Sequence, residues 1–416
     1  MNDTPQALAN INIVEFGGYA AGPHIGKVLG NYGATVVHVE SQGRPDGFRM
    51  EYPPYKDGKA GVNRGGCFAF FNDSKYGVTL DLKNPAGLDL ARRLMGWADI
   101  VIENMRPGVM ARLGLGYEDV RDGNPGLVML STCNMGQTGP RAHTPGFGSQ
   151  LSSLAGFCGL IGETEGSPML LYGPYIDFIA SAMATSAVLA ALDQRLRSGK
   201  GALIDISQYE TGLHFMAGPL HAYHRDGAVA ERRENRDDVA APHGAYACDG
   251  GEWLALSCWS DKEFATLTAY LDNPALADDR RFTTAEARLE NLDALDAAIG
   301  ACCRDRNAIE TAAVLQAAGI AAYPVNTVAD LFDDPQLKTQ STWRYREHGE
   351  IGDQAYWFPG LALSATPGDV SRAAPLLGGD NDRVFKEFVG LSEEEFDTYA
   401  AREAFGEAPG EAPSRG

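Results

Sequence analysis

The chain has 416 residues, of which 44 % are apolar and 22 % are charged, and its net charge is −20. This length exceeds one ordinary core and predicts two or more domains, and the composition is that of a globular protein. An acidic chain is a poor candidate for binding nucleic acid or an anionic membrane, because both need a basic face.

Residues 1–9 have neither a basic start nor an apolar run, so we expect no secretory signal. The most apolar stretch, Phe178–Leu192, falls short of the roughly 20 residues that cross a bilayer. The seven cysteines form no CxxC pair, which predicts neither a disulfide framework nor a zinc site. We therefore expect reduced thiols and a cytoplasmic protein.

Short apolar runs alternate with helical patterns along the first half of the chain. Strands that alternate with helices imply parallel strands joined by right-handed crossovers, so we predict a doubly wound α/β sheet. The predicted strands are Ile11–Phe16, Thr35–Glu40, Val78–Leu82, Ile100–Glu103, Leu127–Thr132 and Leu203–Ser207. The predicted helices are Gly22–Asn31, Pro85–Trp97, Asp177–Ser198 and Leu213–His224.

A highly charged run, Arg225–Asp238, indicates a linker to a smaller α+β domain. The strands predicted there are Gly244–Cys248, Trp253–Ser257 and Ala321–Val325, and the helices are Lys262–Leu271, Leu289–Cys303 and Ala308–Ala318. An irregular stretch, Asp333–Leu361, and a final helix, Asn381–Ala401, follow. We place the large domain at residues 1–224, completed by 334–402, the small domain with its linker at 225–333, and a disordered tail at 403–416.

Glycines at positions 17, 18, 22 and 26 surround the start of the first helix, where free N–H groups can bind phosphate. Glu40 ends the next strand, as the acidic residue of a nicotinamide dinucleotide site does. The GxGxxG spacing is absent, however, so a dehydrogenase is a weak interpretation. A close strand-to-helix turn explains the glycines equally well.

The run Glu103–Gly108 follows another strand and so lies at the sheet edge where open α/β folds bind ligands. Asn104 suits a base or an amide, and Arg106 and Arg112 suit phosphate oxygens. By itself, an ordinary helix start with surface arginines explains the run better.

Asp177 directly precedes an alanine-rich apolar run. Aspartate at such a position is a good N-cap, and position alone favours that structural role. The helix dipole and free N–H groups would also hold the carboxylate ionised, and an ionised carboxylate can attack an activated acyl group. The histidines form no HExxH motif and the serines no GxSxG elbow, so no metal site and no hydrolase triad is indicated.

Several short segments, spread over nearly the whole chain, form an ordered pattern. They are Ile13–Phe16, Ala21–Pro23, Gly33–Glu40, Leu80–Lys83, Ala98–Asn104, Arg112–Leu115, Gly136–Pro140, Tyr246–Gly250, Asp278–Phe282 and Ala374–Gly378. Each segment alone is weak evidence. Together and in this order they resemble the class III CoA-transferases, the CaiB/BaiF family.

This resemblance implies a Rossmann-like large domain plus a small domain, with two chains interlocked as a homodimer or a heteromer. It implies transfer of CoA from a donor thioester, such as succinyl-CoA, to a carboxylic acid, with no metal and no permanently bound cofactor. The implied catalytic residue is Asp177, passing through an acyl anhydride and a CoA thioester. The implied CoA-binding residues are Leu80, Lys83, Asn104, Met105, Arg106 and Arg112.

Two features depart from the family pattern. Phe147 stands 30 residues before Asp177, where racemases of the family have histidine and some transferases have tyrosine. Phenylalanine cannot take a proton, which disfavours an acyl-CoA racemase, although His143 lies nearby. The glycine-rich catalytic loop expected before Tyr246 is replaced by Arg232–His243.

The segments around Phe147 and Asp177 are most similar to family members that act on succinyl-type and aryl-substituted dicarboxylates, such as the benzylsuccinate group. A racemase, an intramolecular CoA isomerase and a non-catalytic CoA-binding subunit remain as alternatives. The presence of Asp177 argues against the last of these.

Overall fold

A computed structural model describes residues 6–407 of the chain, which divide into two compact units. The first unit takes in the chain up to Gly159, the segment Leu170–Ala230 and the chain from Lys338 onward. The second unit consists of Leu160–Met169 and Glu231–Leu337. The sequence did not predict that Leu160–Met169 joins the second unit. Arg232 accounts for it, because its guanidinium donates to the backbone oxygens of Glu163 (3.2 Å) and Gly166 (2.8 Å).

The first unit is built on a six-stranded parallel sheet. Its strands are β1 (Asn12–Phe16), β2 (Thr35–Glu40), β3 (Lys75–Thr79), β4 (Ile100–Glu103), β5 (Val128–Cys133) and β6 (Ala202–Ser207). They are arranged in the order β3-β2-β1-β4-β5-β6, and all neighbours are parallel. The predicted doubly wound sheet is therefore confirmed, and the strand order reverses between β1 and β4.

Helices cover both faces of this sheet. They are α1 (Ala21–Asn31), α2 (Gly47–Met50), α3 (Gly66–Asn72), α4 (Pro85–Trp97), α5 (Val109–Arg112), α6 (Tyr117–Val120), α7 (Gly148–Leu154), α8 (Tyr175–Ser198), α9 (Gln208–Leu213) and α10 (Ala217–Asp226). Alternate residues of β1 enter different clusters: Ile13 packs with α1 and α8, and Val14 packs with α4. This alternation is the strand period of two acting on a sheet that is buried on both faces.

Helix α8 is long and apolar enough to cross a membrane, the one such helix among residues 6–407, and it extends beyond the short apolar stretch noted in the sequence. Its Ala184, Val188 and Leu192 are buried against the sheet in the cluster that contains Ile13. This packing is that of a core helix in a globular unit.

The second unit has a three-stranded antiparallel sheet in the order β7-β8-β9. Its strands are β7 (His243–Ala247), β8 (Trp253–Ser257) and β9 (Ala321–Pro324). Its helices are α11 (Asp261–Leu271), α12 (Pro274–Ala277), α13 (Ala285–Glu290), α14 (Leu292–Cys303), α15 (Ala308–Ala317) and α16 (Val328–Asp333). Helix α17 (Pro335–Thr339) leads back to the first unit.

The stretch predicted to be irregular, Asp333–Leu361, instead holds an antiparallel hairpin of β10 (Trp343–His348) and β11 (Gly352–Trp357). The hairpin was missed because charged residues interrupt both strands and no Asn-Gly or Asp-Gly turn joins them.

The predicted final helix is also interrupted. Helix α18 (Asn381–Arg383) continues as a π-helical turn, and α19 (Glu393–Ala401) is separate. Gly390 lies at the break, with φ at 84°. Glycine adopts this left-handed backbone region without strain, so the chain can leave the helix there.

Two further predictions were wrong at their boundaries. Strand β3 begins and ends three residues before the predicted Val78–Leu82, since its first residue, Lys75, is a buried cation that hides the apolar pattern.

The tail predicted to be disordered from residue 403 begins with packed residues. Ala404 is fully buried, and the Phe405 ring lies 4.9 Å from that of Phe396. Residues 408–416 lie outside the described residues.

Charged side chains are buried beneath the first helix. The Lys75 ammonium lies 2.9 Å from Glu15 Oε1, and Glu15 also bonds His38 Nδ1 at 2.5 Å. Burial alone would raise the pKa of Glu15, but Lys75 and His38 outweigh it and hold that pKa at about 2. Lys27 pairs with Asp73 in the same region, and all these side chains are fully buried.

Candidate active site

A cavity of about 740 Å³ opens at the carboxyl edge of the parallel sheet. Its walls come from the turn after β1, the loops after β2, β4 and β5, the loop leading into α7, and the first turns of α8 and α9. Open α/β sheets bind ligands where the strand order reverses, and this cavity lies at the reversal between β1 and β4.

Asp177 lines this cavity from the first turn of α8. The helix starts at Tyr175, so Pro174 occupies the N-cap position and the predicted capping role of Asp177 is wrong. Asp177 is 9 % exposed, and its Oδ2 is buried with no hydrogen-bond partner. A buried polar atom without a partner is rare in proteins and is typical of a functional group.

The electrostatics of Asp177 differ from the expectation of a carboxylate held ionised by its helix. Burial raises the pKa of Asp177 to about 7, and its own backbone N–H only partly opposes this shift. Desolvation therefore outweighs the helix N-terminus here. Near neutral pH, comparable fractions of the carboxyl group are protonated and ionised.

Gly148 makes room for this carboxyl group. A Cβ atom built on Gly148 would lie 2.0 Å from Asp177 Oδ2 and 3.0 Å from Pro174 Cα. Only glycine fits between the start of α7 and the start of α8. The sequence carried no local signal for this requirement, because residues 148 and 177 meet only in the folded chain.

Asn104 joins the loop after β4 to the turn after β1. Its Oδ1 accepts from the Gly18 N–H at 3.0 Å, and its Nδ2 donates to the Gly18 oxygen at 2.7 Å. A Cβ on Gly17, whose φ is 132°, would lie 1.7 Å from Asn104 Oδ1. Much of the hydrogen-bonding capacity of the Asn104 side chain, which we expected to bind a base or an amide of a ligand, is therefore used to hold the cavity wall together.

Three exposed arginines line the cavity: Arg44, Arg106 and Arg112. None of them forms an ion pair with any residue in the range 6–407. Unpaired guanidinium groups around a cavity favour anionic ligands such as phosphate and carboxylate. The sequence singled out Arg106 and Arg112 but missed Arg44, which follows a predicted strand without a family motif.

The remaining predicted site residues fall into two groups. Met105 lines the cavity beside Asn104. Leu80 and Lys83 do not line it: Leu80 is buried in the core beside α4, and Lys83 is exposed beyond β3. The structure thus brings five of the seven predicted site residues together at one cavity, namely Asn104, Met105, Arg106, Arg112 and Asp177.

Aromatic rings form one wall of the cavity. The Phe147 ring lies 5.5 Å from that of Tyr19, which in turn lies 5.4 Å from Phe48. Tyr19 has a left-handed backbone at φ 61°, and its N–H donates to both oxygens of Asp46 at 3.1 and 3.0 Å. Such strain persists where the surrounding structure imposes it, often at ligand sites. His143 also lines the cavity.

The charged segment Arg232–His243, where the resemblance led us to expect a glycine-rich loop, lies in the second unit and leads into β7. Arg233 pairs with Asp238, and Arg236 pairs with Asp293. Among residues 6–407, no three histidine, cysteine, aspartate or glutamate side chains are grouped to hold a metal ion.

Comparison with known proteins extends these observations. The model of CoA-transferase family III matches residues 8–381. A succinyl-CoA–D-citramalate CoA-transferase of Chloroflexus aurantiacus is 32 % identical over 94 % of this chain and 96 % of that protein. The alpha subunit of a succinyl-CoA–L-malate CoA-transferase of the same species is 31 % identical over 95 % of this chain and 92 % of that protein.

A solved structure shows the same architecture. The crystal structure of a CaiB/BaiF family protein from Brucella suis matches with a TM-score of 0.85 and 28 % identity, over 92 % of this chain and all of that one. Family match, sequence relatives and fold agree over almost the whole length. The chain therefore belongs to CoA-transferase family III and is an enzyme of that class.

Proposed function

We propose that this enzyme moves CoA from a donor thioester to an acceptor carboxylic acid, with Asp177 as the nucleophile. The observation that carries the proposal is the buried Asp177 carboxyl group, whose Oδ2 has no hydrogen-bond partner, in a cavity lined by unpaired arginines. A carboxylate oxygen that is shielded from water and accepts no hydrogen bond is a stronger nucleophile than a solvated one. A pKa of about 7 keeps a useful ionised fraction at neutral pH.

The proposed reaction has four exchanges at carbonyl carbons. An Asp177 oxygen attacks the donor thioester, the C–S bond breaks, and an acyl-aspartyl anhydride forms with release of CoA thiolate. The thiolate attacks the aspartyl carbonyl and frees the donor acid. The acceptor carboxylate then attacks the resulting aspartyl-CoA thioester, the C–S bond breaks, and a second anhydride forms with release of CoA thiolate. The thiolate finally attacks the acyl carbonyl of this anhydride, and the C–O bond to Asp177 breaks, which gives the new acyl-CoA and regenerates the Asp177 carboxylate.

We assign the phosphates of CoA to Arg106 and Arg112, since both line the cavity and neither has an ion pair among the described residues. The relatives named for D-citramalate and L-malate support succinyl-CoA as the donor and a dicarboxylic acid as the acceptor. CoA is a substrate in this proposal, and no permanently bound cofactor takes part.

The test is thioester exchange. Purified enzyme is mixed with succinyl-CoA and a panel of dicarboxylic acids, and new CoA thioesters are identified by mass spectrometry. Asp177→Ala should abolish exchange and still bind CoA, whereas Asp193→Ala, on an exposed turn of the same helix, should remain active. Retained turnover in Asp177→Ala, or no hydroxylamine-labelled Asp177 peptide during turnover, would contradict the proposal.

An acyl-CoA racemase or isomerase remains the second candidate, because His143 lines the same cavity as Asp177. A racemase would exchange the α-proton of a bound acyl-CoA with deuterated water without exchanging thioesters. Deuterium uptake without thioester exchange would therefore favour this candidate.

We also propose a cytoplasmic, interlocked dimer of identical or related chains. Helix α10 has no buried residue, and Phe215, Leu220 and Tyr223 are exposed in its vicinity. The edge strand β6 also exposes Leu203. Exposed apolar patches and unpaired sheet edges of this kind are surfaces to which another chain can bind. Light scattering after gel filtration should give about twice the chain mass of 44.5 kDa.

A further inference from the structure

The Gly136–Pro140 segment, one of the segments that resemble the family, follows the end of β5. Gln137 lies in this segment. Its side chain reaches the loop after β4, residues 104–108, which carries Asn104, Met105 and Arg106.

Gln137 contacts both ends of the 104–108 loop. Its Nε2 donates to Glu103 Oε1 at 3.3 Å, and its Oε1 accepts from the Gly108 N–H at 3.1 Å. Its own N–H donates to both oxygens of Asp205, on β6, at 3.1 Å. The glutamine therefore spans the loop and is itself anchored to the neighbouring strand.

Glu103 completes the arrangement from the end of β4. Its Oε2 accepts from the Met105 N–H at 2.8 Å, which fixes the first turn of the loop. Glu103 is 3 % exposed and forms no ion pair with any described residue. Burial raises the pKa of Glu103 to about 7, hydrogen bonds from Ser131 and Met105 oppose the shift, and Asp205 adds to it.

Two donors point at this one carboxyl group, one at each oxygen: the Met105 N–H at Oε2 and the Gln137 amide at Oε1. An ionised carboxylate can accept from both, whereas a protonated one has only one good acceptor oxygen left. The other titratable groups facing Glu103 are Asp205 on β6 and the Cys133 thiol on β5. Neither supplies a positive charge.

We propose that Gln137 and Glu103 are positioning residues that hold the 104–108 loop in the shape that binds the acyl-CoA, and that Glu103 does so in its ionised form. This inference rests on the proposed placement of CoA at Arg106. It predicts that the KM for acyl-CoA rises as the pH falls below about 7. The loss of reactive Asp177 carboxylate appears separately, in kcat.

The first test removes the hydrogen bonds and keeps the side-chain volume. Gln137→Met should raise the KM for succinyl-CoA about tenfold, the usual effect of losing hydrogen bonds to a charged group, and leave kcat within about twofold. Glu103→Gln should raise KM at pH 8 and abolish the dependence of KM on pH. Gln194→Met, on the exposed end of α8, is the matched control and should change neither constant.

The second test exchanges the two residues. Gln137→Glu alone places two carboxyl groups against each other and should impair binding strongly. The double variant Glu103→Gln with Gln137→Glu restores one acceptor and one donor between the two positions, so it should recover most of the affinity. Failure of this rescue in a folded double variant, or a Gln137→Met enzyme with unchanged KM, would overturn the inference.

Binding of CoA to Arg106→Gln, measured by calorimetry, separates this inference from the proposed function. If Arg106→Gln weakens CoA binding and Gln137→Met does not, only the positioning role fails. If Arg106→Gln also leaves CoA affinity unchanged, the proposed CoA site fails and the positioning role fails with it.

Discussion

Gly148→Ala is the smallest change that should disable Asp177 without touching it. The added Cβ would lie 2.0 Å from Asp177 Oδ2 and 3.0 Å from Pro174 Cα. An ordinary contact between heavy atoms is about 3.5 Å, so the carboxyl group must move by roughly 1.5 Å. A misplacement of about 1 Å at a reacting group can cost about a hundredfold in rate.

We therefore expect Gly148→Ala to lower kcat for CoA transfer at least about a hundredfold. The Kd for CoA should stay nearly constant, because the arginines lie elsewhere in the cavity. The free energy of unfolding should fall by only about 1–3 kcal/mol, as for other overpacked sites. Transfer rates, calorimetry and urea denaturation measure the three quantities.

Gly159→Ala is the matched control, since a Cβ at Gly159 meets no atom within 4 Å. It should retain both activity and stability. A Gly148→Ala enzyme that folds and keeps its kcat would show that Asp177 reacts from a different position, or does not react, and would refute the reasoning.

Four further predictions concern Asp177, Lys75 and Asn104. Because only ionised Asp177 attacks, kcat should fall as the pH drops through about 7. Because the pKa of Asp177 is raised in the folded protein, ionisation of this group lowers the free energy of unfolding as the pH rises from about 4 to 7. Asp177→Asn should therefore stabilise the protein at pH 8 by roughly 2–4 kcal/mol in urea denaturation. No gain in stability would contradict the raised pKa. Lys75→Met leaves Glu15 buried without its cation and should cost about 3–5 kcal/mol, whereas Arg197→Met, in an exposed pair, should cost little; equal effects would refute the role of burial. In Asn104→Asp the side chain cannot donate to the Gly18 oxygen. This variant should lower the melting temperature, with a loss of about 1–3 kcal/mol of stability, and should raise the KM for acyl-CoA. An unchanged KM would count against a role of this contact in the site.

The central sheet was predictable because its strands are short apolar runs. Strands β2 and β4 have the predicted bounds, since Val36–Glu40 and Ile100–Glu103 are continuous buried runs. Strand β3 was misplaced because Lys75, a charged residue, begins it and is buried by pairing with Glu15. A local pattern of hydrophobicity cannot register a charge whose partner lies 60 residues away.

The site followed the same rule. Asn104, Arg106 and Arg112 were predictable as neighbours at one sheet edge, because the carboxyl ends of parallel strands meet there. Gly148 and Gln137 act through contacts with residues 26 or more positions away, so no local spacing indicated their roles. The raised pKa of Asp177 also arises from the folded chain, since burial and not sequence position determines it.

The buried ion pairs also limit how this gene could be recombined with those of its relatives. Glu15 pairs with His38 and Lys75, and Lys27 pairs with Asp73, so all the pairs lie within one short amino-terminal stretch. A chimeric junction inside that stretch would take the two members of a pair from different parents, whereas a junction after residue 75 would inherit them as a set. Arg232 carries no such restriction, because the oxygens it binds at Glu163 and Gly166 belong to the backbone, which every parent supplies.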